Sequence, residues 1–396
     1  MSAVMEHLKK NIKILVVDDE VDLEPLVKQR FRRQIREGVY DFLFAHNGLE
    51  ALAKLIEHPE IGIILSDINM PEMDGLTLLL KLKELKNPSL KTVIVSAYGD
   101  MENIRTAMNR GAFDFLTKPI NFEDLEITIN KTLDEIRLVR KSQEEHHQLL
   151  FIQHDLQTAR EIQQAILPAV FPPFPHRKDF DIYASMQAAR EVGGDFYDFF
   201  MIDNDHIGFV IGDVSGKGVP AAIFMAVSRT LIRATGLKGI SVEECIDYAN
   251  HLLCNESTSC MFVTVFYGIL DTKTGTVTYV NGGHNPPYLV RADGSLESVP
   301  LTGGTVLGFL EDEQYKSGKL QLQAGDTLFL YTDGITEAFN ERDESYGEER
   351  LEVLLRSHCK SPIKEMSQAT VAGVQEFCGN APQSDDITLM AVRYFG

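Results

Sequence analysis

From Phe122 to Leu167 the chain contains neither glycine nor proline, and Pro168 follows at once. A connection of that length without a breaker is not an ordinary loop. Apolar residues recur at spacings of three and four, at Ile129, Leu133, Ile136 and Val139 and again at Leu149, Ile152, Leu156, Ala159, Ile162 and Ile166. This pattern predicts one continuous helix that stops at Leu167-Pro168. It divides the 396 residues into a domain over 11–124, a helical linker over 125–168 and a second domain over 169–396. Gln143 and His146 make the seam polar in its middle, which suits a weak coiled coil that sets register yet stays adjustable. The expected state is a homodimer through this helix; the alternative, favoured by a shift of the stripe near Leu149, is one helix lying on its own domains. His146, His147 and His154 invite a phosphorylated histidine, but no ATP-binding box follows and polar helix surface accounts for them.

Before the linker, apolar runs at 12–17, 40–45, 61–66, 92–95 and 113–116 alternate with helical patterns at 21–36, 48–58, 75–86, 101–110 and from 122 onward. Five strands alternating with helices predict an α/β doubly wound domain with a five-stranded parallel sheet. Ligands of such sheets bind beyond the carboxyl ends of the strands. Those ends carry Asp18 and Asp19, Asp67, Ser96, and Lys118 before Pro119. Three carboxylates, a hydroxyl and an ammonium at one edge suit a carboxylate that accepts a phosphoryl group. Asp67 would be the nucleophile, Asp18 and Asp19 would hold Mg²⁺ with it, and Lys118 would meet the phosphate charge. Together with Asp67-Ile-Asn-Met-Pro-Glu-Met-Asp-Gly75, these residues resemble the receiver domain of two-component response regulators. The resemblance implies phosphorylation of Asp67 by an upstream histidine kinase. It also implies that Ser96 is the switch hydroxyl and Phe115, three residues before Lys118, the switch aromatic.

Composition bounds the rest. A formal net charge of −20 argues against a nucleic-acid surface, which needs clustered cations, and against an anionic membrane. No apolar run approaches a bilayer span, the first residues lack the apolar core of a signal peptide, and five cysteines without a CxxC pair read as free thiols. Cys254 and Cys260 have no histidine pair nearby that would make a zinc site. The expected location is the cytoplasm.

After Pro168, short strands at 182–185, 207–211, 262–270, 277–280, 288–291, 327–331 and 387–392 are separated by Gly and Asn turns. Helical patterns lie at 219–235, 241–254, 349–356 and 363–377, giving an α+β layered domain with antiparallel sheets flanked by helices. Asp195 and Asp213 flank the 207–211 run next to glycines, Asp333 follows the 327–331 strand, and Asp385-Asp386 precede the last strand. Carboxylates gathered at strand ends repel unless cations neutralise them, and a pair of divalent ions there can activate water on a phosphoryl group without a protein nucleophile.

Six segments carry a second resemblance: 159–168 ending Ala-Ile-Leu-Pro168, Gly193-Gly-Asp-Phe-Tyr-Asp198, Gly212-Asp-Val-Ser-Gly-Lys-Gly-Val-Pro-Ala-Ala222, Gly283-His-Asn-Pro-Pro287, Tyr331-Thr-Asp-Gly334 and Ser384-Asp-Asp-Ile-Thr388. In order and across the whole domain, they resemble the metal-dependent Ser/Thr protein phosphatases of the bacterial sporulation and stress-response branch. The resemblance implies two Mn²⁺ or Mg²⁺ ions. Asp213 would bridge them, the carbonyl of Val214 would complete one site, Asp333 and Asp385 would ligate the second ion, and Asp195 would hold a metal-bound water or ligate directly. Catalysis would then rest on Asp213 and Asp333 here, and on Asp67, Lys118 and Ser96 in the first domain. Gly282 and Val306 depart from the family's usual alanine and proline without removing a ligand. His284 and Asn285 read as structural, and Lys217 is open between substrate phosphate and solvent. The expectation is a response regulator whose phosphorylation at Asp67 controls a protein phosphatase. Its implied substrate is a phosphorylated STAS-type anti-sigma-factor antagonist; the alternative is a non-catalytic module that sequesters that antagonist.

Overall fold

A computed structural model describes residues 12–97, 99–256 and 261–396. The first eleven residues and Cys260 lie outside the described residues. The chain forms two compact units, Met1–Ile152 and Gln153–Gly396.

In the first unit, β1 (Lys13–Val17), β2 (Asp41–Ala45), β3 (Ile61–Asp67), β4 (Lys91–Ala97) and β5 (Asp114–Lys118) form one parallel sheet in the order β2-β1-β3-β4-β5. The helices are α1 (Leu23–Arg30), α2 (Arg32–Arg36), α3 (Gly48–Glu57), α4 (Gly75–Glu84) and α5 (Met101–Asn109), followed by α6 (Phe122–Ile166). β3 is buried along its whole length, as a central parallel strand covered on both faces must be. The helix expected over 21–36 is instead two, because Phe31 leaves helical geometry at φ −98° and ψ 18°. Its ring is wholly buried, 5.5 Å from the rings of both Tyr40 and Phe42, and that packing decides the break.

α6 is the unbroken helix that the glycine- and proline-free run predicts. Its seam is not uniform, however. Leu125, Ile129, Leu133 and Ile136 are buried in the core of the first unit, so this part of the expected 125–168 linker belongs to the domain before it. Residues 141–152 are exposed, and Leu149, Leu150, Phe151 and Ile152 each leave at least half their surface in water.

The second unit holds two antiparallel sheets. One has the order β13-β10-β9-β8-β7, from β7 (Phe196–Met201), β8 (His206–Val214), β9 (Val263–Asp271), β10 (Thr276–Gly282) and β13 (Gly318–Gln321). The other has the order β12-β11-β14-β15-β6, from β6 (Phe180–Gln187), β11 (Tyr288–Val290), β12 (Leu296–Ser298), β14 (Thr327–Tyr331) and β15 (Ile387–Tyr394). Ile182, Phe209, Ile211, Phe266, Leu328 and Val392, drawn from both sheets, share one core between them. α7 (Val219–Gly236) and α8 (Val242–Glu256) contribute to that core, while α10 (Gly347–Ser357) and α11 (Ile363–Cys378) pack a separate core on the other sheet. The result is a helix–sheet–sheet–helix sandwich.

Periodicity reveals neither β13 nor, at the site itself, β7. Its run Phe196–Met201 is apolar on both faces around Asp198, whose carboxylate is fully buried. Two arginines of α7 meet it, Arg229 Nε at 2.8 Å and Arg233 Nη1 at 2.7 Å, and this pairing fixes α7 against the sheet.

The split character of α6 yields a stability test. Ile136→Asp places a charge where exposure is 0%, and is expected to destabilise the first unit by about 3 kcal/mol or more. Ile152→Asp, on an exposed site, is expected to change it by no more than about 0.5 kcal/mol. Urea denaturation of the full chain followed by circular dichroism distinguishes the two; equal losses would mean that Ile136 is not part of that core.

Candidate functional site

The carboxyl ends of β1, β3 and β5 bring the first set of residues together. One carboxylate oxygen each from Asp18, Asp19 and Asp67 lies within 4.8 Å of the others. Lys118 Nζ sits 2.7 Å from Asp67 Oδ2, 3.0 Å from Asp18 Oδ2 and 3.0 Å from Glu20 Oε1. Burial opposes the lysine's charge, but Asp67, Asp18 and Glu20 outweigh it and hold its pKa above the ordinary value. Burial also raises the pKa of Asp18, against the pull of Lys118. Asp18 Oδ2 is buried without an aligned hydrogen-bond donor, an oxygen suited to a hard cation such as Mg²⁺. Gly75 follows Asp74 because any Cβ there would collide with the carbonyl of Asp67. Ser96 is buried at the end of β4 with Oγ 3.4 Å from Asp100 Oδ2, and Phe115 is 38% exposed. Glu20 is the residue that sequence reasoning passed over, although it directly follows the Asp18-Asp19 pair.

The second set lies at one rim of the sandwich. β7 and β8 run antiparallel with Phe196 opposite Gly212, so the residue leading β7 meets the end of β8. That register brings Asp195 to Asp213, although the sequence separates them by a whole hairpin. Their carboxyl groups are within hydrogen-bonding reach. Asp333 opens the short helix α9 (Asp333–Thr336) after β14, and Asp385 stands two residues before β15. Close backbone approach demands the glycines here. A Cβ on Gly194 would lie 2.9 Å from the carbonyl oxygen of Val214, one on Gly193 would strike the carboxylate of Asp386, and one on Gly334 the carbonyl of Asp386.

Crowding of like charges shows in the acidities. Burial pushes the Asp213 pKa up to about 7, with Asp333 and Asp385 adding repulsion. Asp195 is raised well above its ordinary value by burial, then by Asp213 and Asp386. Asp333 is raised by burial, then by Glu337 and Asp385. Such a donor set, all oxygen and short of countercharge, fits divalent ions. Lys217 donates to the carbonyl of Ser384 at 2.6 Å and pairs with Asp385 Oδ2 at 2.8 Å, so it belongs to the rim.

Three residues support the set: Asp386, which the sequence shows beside Asp385, and Thr332 and Gln163, which it does not single out. Asp386 is no ligand candidate, since its carboxylate accepts from the backbone N–H groups of Ala189 at 2.8 Å, Gly194 at 2.7 Å and Asp195 at 3.3 Å. Thr332 Oγ1 donates to Asp195 Oδ2 at 2.8 Å. Gln163, near the end of α6, donates through Nε2 to the carbonyl of Gly193 at 2.7 Å and accepts its N–H at 3.1 Å. A Gln inside the 159–168 motif was the available signal. His284 is buried and neutral, its pKa pushed down to about 4 by burial, with Nδ1 2.8 Å from Thr264 Oγ1.

Comparison with known proteins places both halves. The model of a family described as Stage II sporulation protein E (SpoIIE) matches residues 203–395, and that of the response regulator receiver domain matches residues 14–130. Protein IcfG of Synechocystis sp. is 30% identical over 267 residues, covering 60% of this chain and 41% of that protein. Phosphoserine phosphatase RsbU of Bacillus subtilis is 30% identical over 260 residues, covering 63% of this chain and 74% of that protein. The SiaA-PP2C domain of Pseudomonas aeruginosa shares the fold, with a TM-score of 0.55 at 22% identity, over 62% of this chain and 98% of that one. The chain thus spans less than half the length of the first of these relatives and about three quarters of the second.

The raised acidity of Asp213 makes metal-free stability depend on pH. Its folded pKa, about 7, exceeds the unfolded value of about 3.9, so the contribution is fully present below pH 4 and is lost as pH rises toward 7. In chelator, the melting temperature of the second unit is expected to fall between pH 5 and pH 8 by about 3 °C more in the wild type than in Asp213→Asn. Calorimetry checks this, and parallel pH profiles would show that Asp213 is not strained by its neighbours.

Proposed function

The chain belongs to the SpoIIE family of PP2C-type serine/threonine protein phosphatases and carries a response-regulator receiver domain, and from that premise we propose that phosphorylation of Asp67 switches on hydrolysis of a phosphoserine or phosphothreonine protein. The observation that carries catalysis over mere sequestration is the intact, mutually repelling set Asp195, Asp213, Asp333 and Asp385. A binding module has no need of carboxylates, one of them buried, that oppose its own folding. Two Mn²⁺ or Mg²⁺ ions held by these residues and the carbonyl of Val214 would supply an activated water and offset charge on the phosphoryl group. Asp213 would bridge the ions, Asp333 and Asp385 would hold the second, and Asp195, aligned by Thr332, would ligate or orient a bound water.

In the receiver, Mg²⁺ on Asp18, Asp19 and Asp67 would accompany phosphotransfer from an upstream histidine kinase. Lys118 would follow the charge from carboxylate to phosphate, Ser96 would leave Asp100 for a phosphate oxygen, and Phe115 would turn inward. α6 is the element through which the signal would pass. Its exposed segment around Leu149–Ile152 suits pairing with a second copy, which gives a homodimer, and its end grips Gly193 through Gln163, two residues from Asp195. The substrate we favour is a phosphoserine protein, in keeping with the relative named phosphoserine phosphatase RsbU, and within that class the phosphorylated STAS-type anti-sigma-factor antagonist that the sequence resemblance implies. The place of action we favour is the cytoplasm; no described helix is long and apolar enough to cross a membrane.

The test compares turnover of a phosphorylated antagonist by wild type, Asp67→Ala and Gln163→Ala, each with and without beryllofluoride. Activation of wild type by roughly 5- to 150-fold is expected, the usual span of allosteric coupling, with none in Asp67→Ala and a reduced response in Gln163→Ala. Equal rates throughout would show uncoupled domains, and inhibition of wild type alone would reverse the sign.

A further inference from the structure

Next to the phosphatase carboxylates lies a cavity of about 120 Å³ that the acidic set itself does not use. Ala338, Phe339, Val374, Cys378, Ala381 and Ile387 give it an apolar lining, and among the described residues none that lines it is acidic or basic. Its position is set by the site. Gly334 and Ser384, which also border it, are the chain neighbours of Asp333 and Asp385.

The walls are built rather than incidental. Gln383 Nε2 donates to the carbonyl of Gln187 at 2.9 Å and to that of Asp385 at 2.7 Å, and Gln375 Nε2 reaches Gln187 Oε1 at 3.0 Å. These bonds tie the loop after α11 to the end of β6. Gly379 reverses the chain there with φ +60°, a conformation a β-carbon resists. Phe339 remains 44% exposed beside the cavity, an aromatic left half in water beside the candidate active site. The space accommodates a single leucine, isoleucine or methionine side chain.

We propose that this cavity is a specificity subsite, which receives one aliphatic side chain of the phosphoprotein substrate lying close to the phosphorylated serine or threonine. The proposal rests on the phosphatase reading above. Its occupant follows from the lining: a charged residue would be desolvated without a partner, whereas an aliphatic side chain meets apolar walls. Substrate choice then has two independent parts, a phosphoryl group read by the acidic centre and an apolar anchor read some residues away. Only the second separates one phosphoprotein from another.

The experiment uses the full chain with Mn²⁺ and beryllofluoride, so that the receiver is in its activated state, a set of phosphoserine peptides in which leucine replaces alanine at each flanking position in turn, and p-nitrophenyl phosphate as a substrate too small to reach the cavity. One position is expected to raise kcat/KM by roughly 10- to 100-fold, the effect of burying a leucine side chain. Ala381→Leu, which fills the cavity from its loop side, is expected to reduce that preference to within about 2-fold of none while leaving p-nitrophenyl phosphate hydrolysis unchanged. Phe339→Ala should weaken the same preference from the opposite wall. A leucine preference that survives both variants, or no preference at any position, would overturn the subsite. Failure of the wild type to hydrolyse p-nitrophenyl phosphate would instead overturn the phosphatase reading beneath it.

Discussion

The carboxylate of Asp386 ties the two sheets of the phosphatase domain together at the rim where the chemistry gathers. It stands just ahead of β15 in one sheet and accepts backbone N–H groups from Gly194 and Asp195, which lead into β7 of the other. Hydrogen bonds to a charged acceptor are among the stronger ones in proteins, and this one is buried. Gly193 and Gly194 exist to let that carboxylate and the carbonyl of Val214 come close. With the rim closed in this way, Asp195 and Asp213 are held close together, with Asp333 and Asp385 near enough to repel Asp213. Their mutual repulsion is a cost that the latch, the sandwich core and the Asp198 clamp on α7 together sustain.

The two acidic centres of the chain solve the same electrostatic problem differently. In the receiver a resident ammonium, Lys118, touches Asp67, Asp18 and Glu20, so much of the negative charge is balanced by the protein itself. In the phosphatase domain Lys217 pairs with Asp385, and the buried Asp195 and half-buried Asp213 are left to share what proton or ion they can find. The receiver site can therefore persist as a folded, poised arrangement. The phosphatase site is more demanding of cations, because removing charge from water is costly unless it is compensated.

Most of the architecture could be read along the chain because it depends on local rules. The parallel sheet follows from alternating apolar runs and helices, and α6 from the absence of breakers between Phe122 and Leu167. Where reading failed, packing had overruled pattern. Phe31 broke a helix to bury its ring, β7 hid as an apolar run around a buried aspartate, and the first third of α6 turned its seam into its own domain's core. Periodicity reports that a face is apolar; it does not report which neighbour covers it.

By itself the sequence determined which carboxylates were available and that each stood at a strand end beside a glycine or a polar turn. Asp18, Asp19, Asp67, Asp195, Asp213, Asp333 and Asp385 are all legible in that sense. Tertiary structure decided which of two adjacent aspartates does what: Asp386 gives both oxygens to the backbone amides of Ala189 and Gly194, while Asp385 accepts the Asp386 amide at Oδ1 and turns Oδ2 to Lys217 at the rim. It also decided that Gln163 would hold Gly193, and that a cavity would open between α9 and the loop before β15. These depend on contacts across long stretches of chain, and such contacts follow from antiparallel register and sheet packing, which no local spacing encodes.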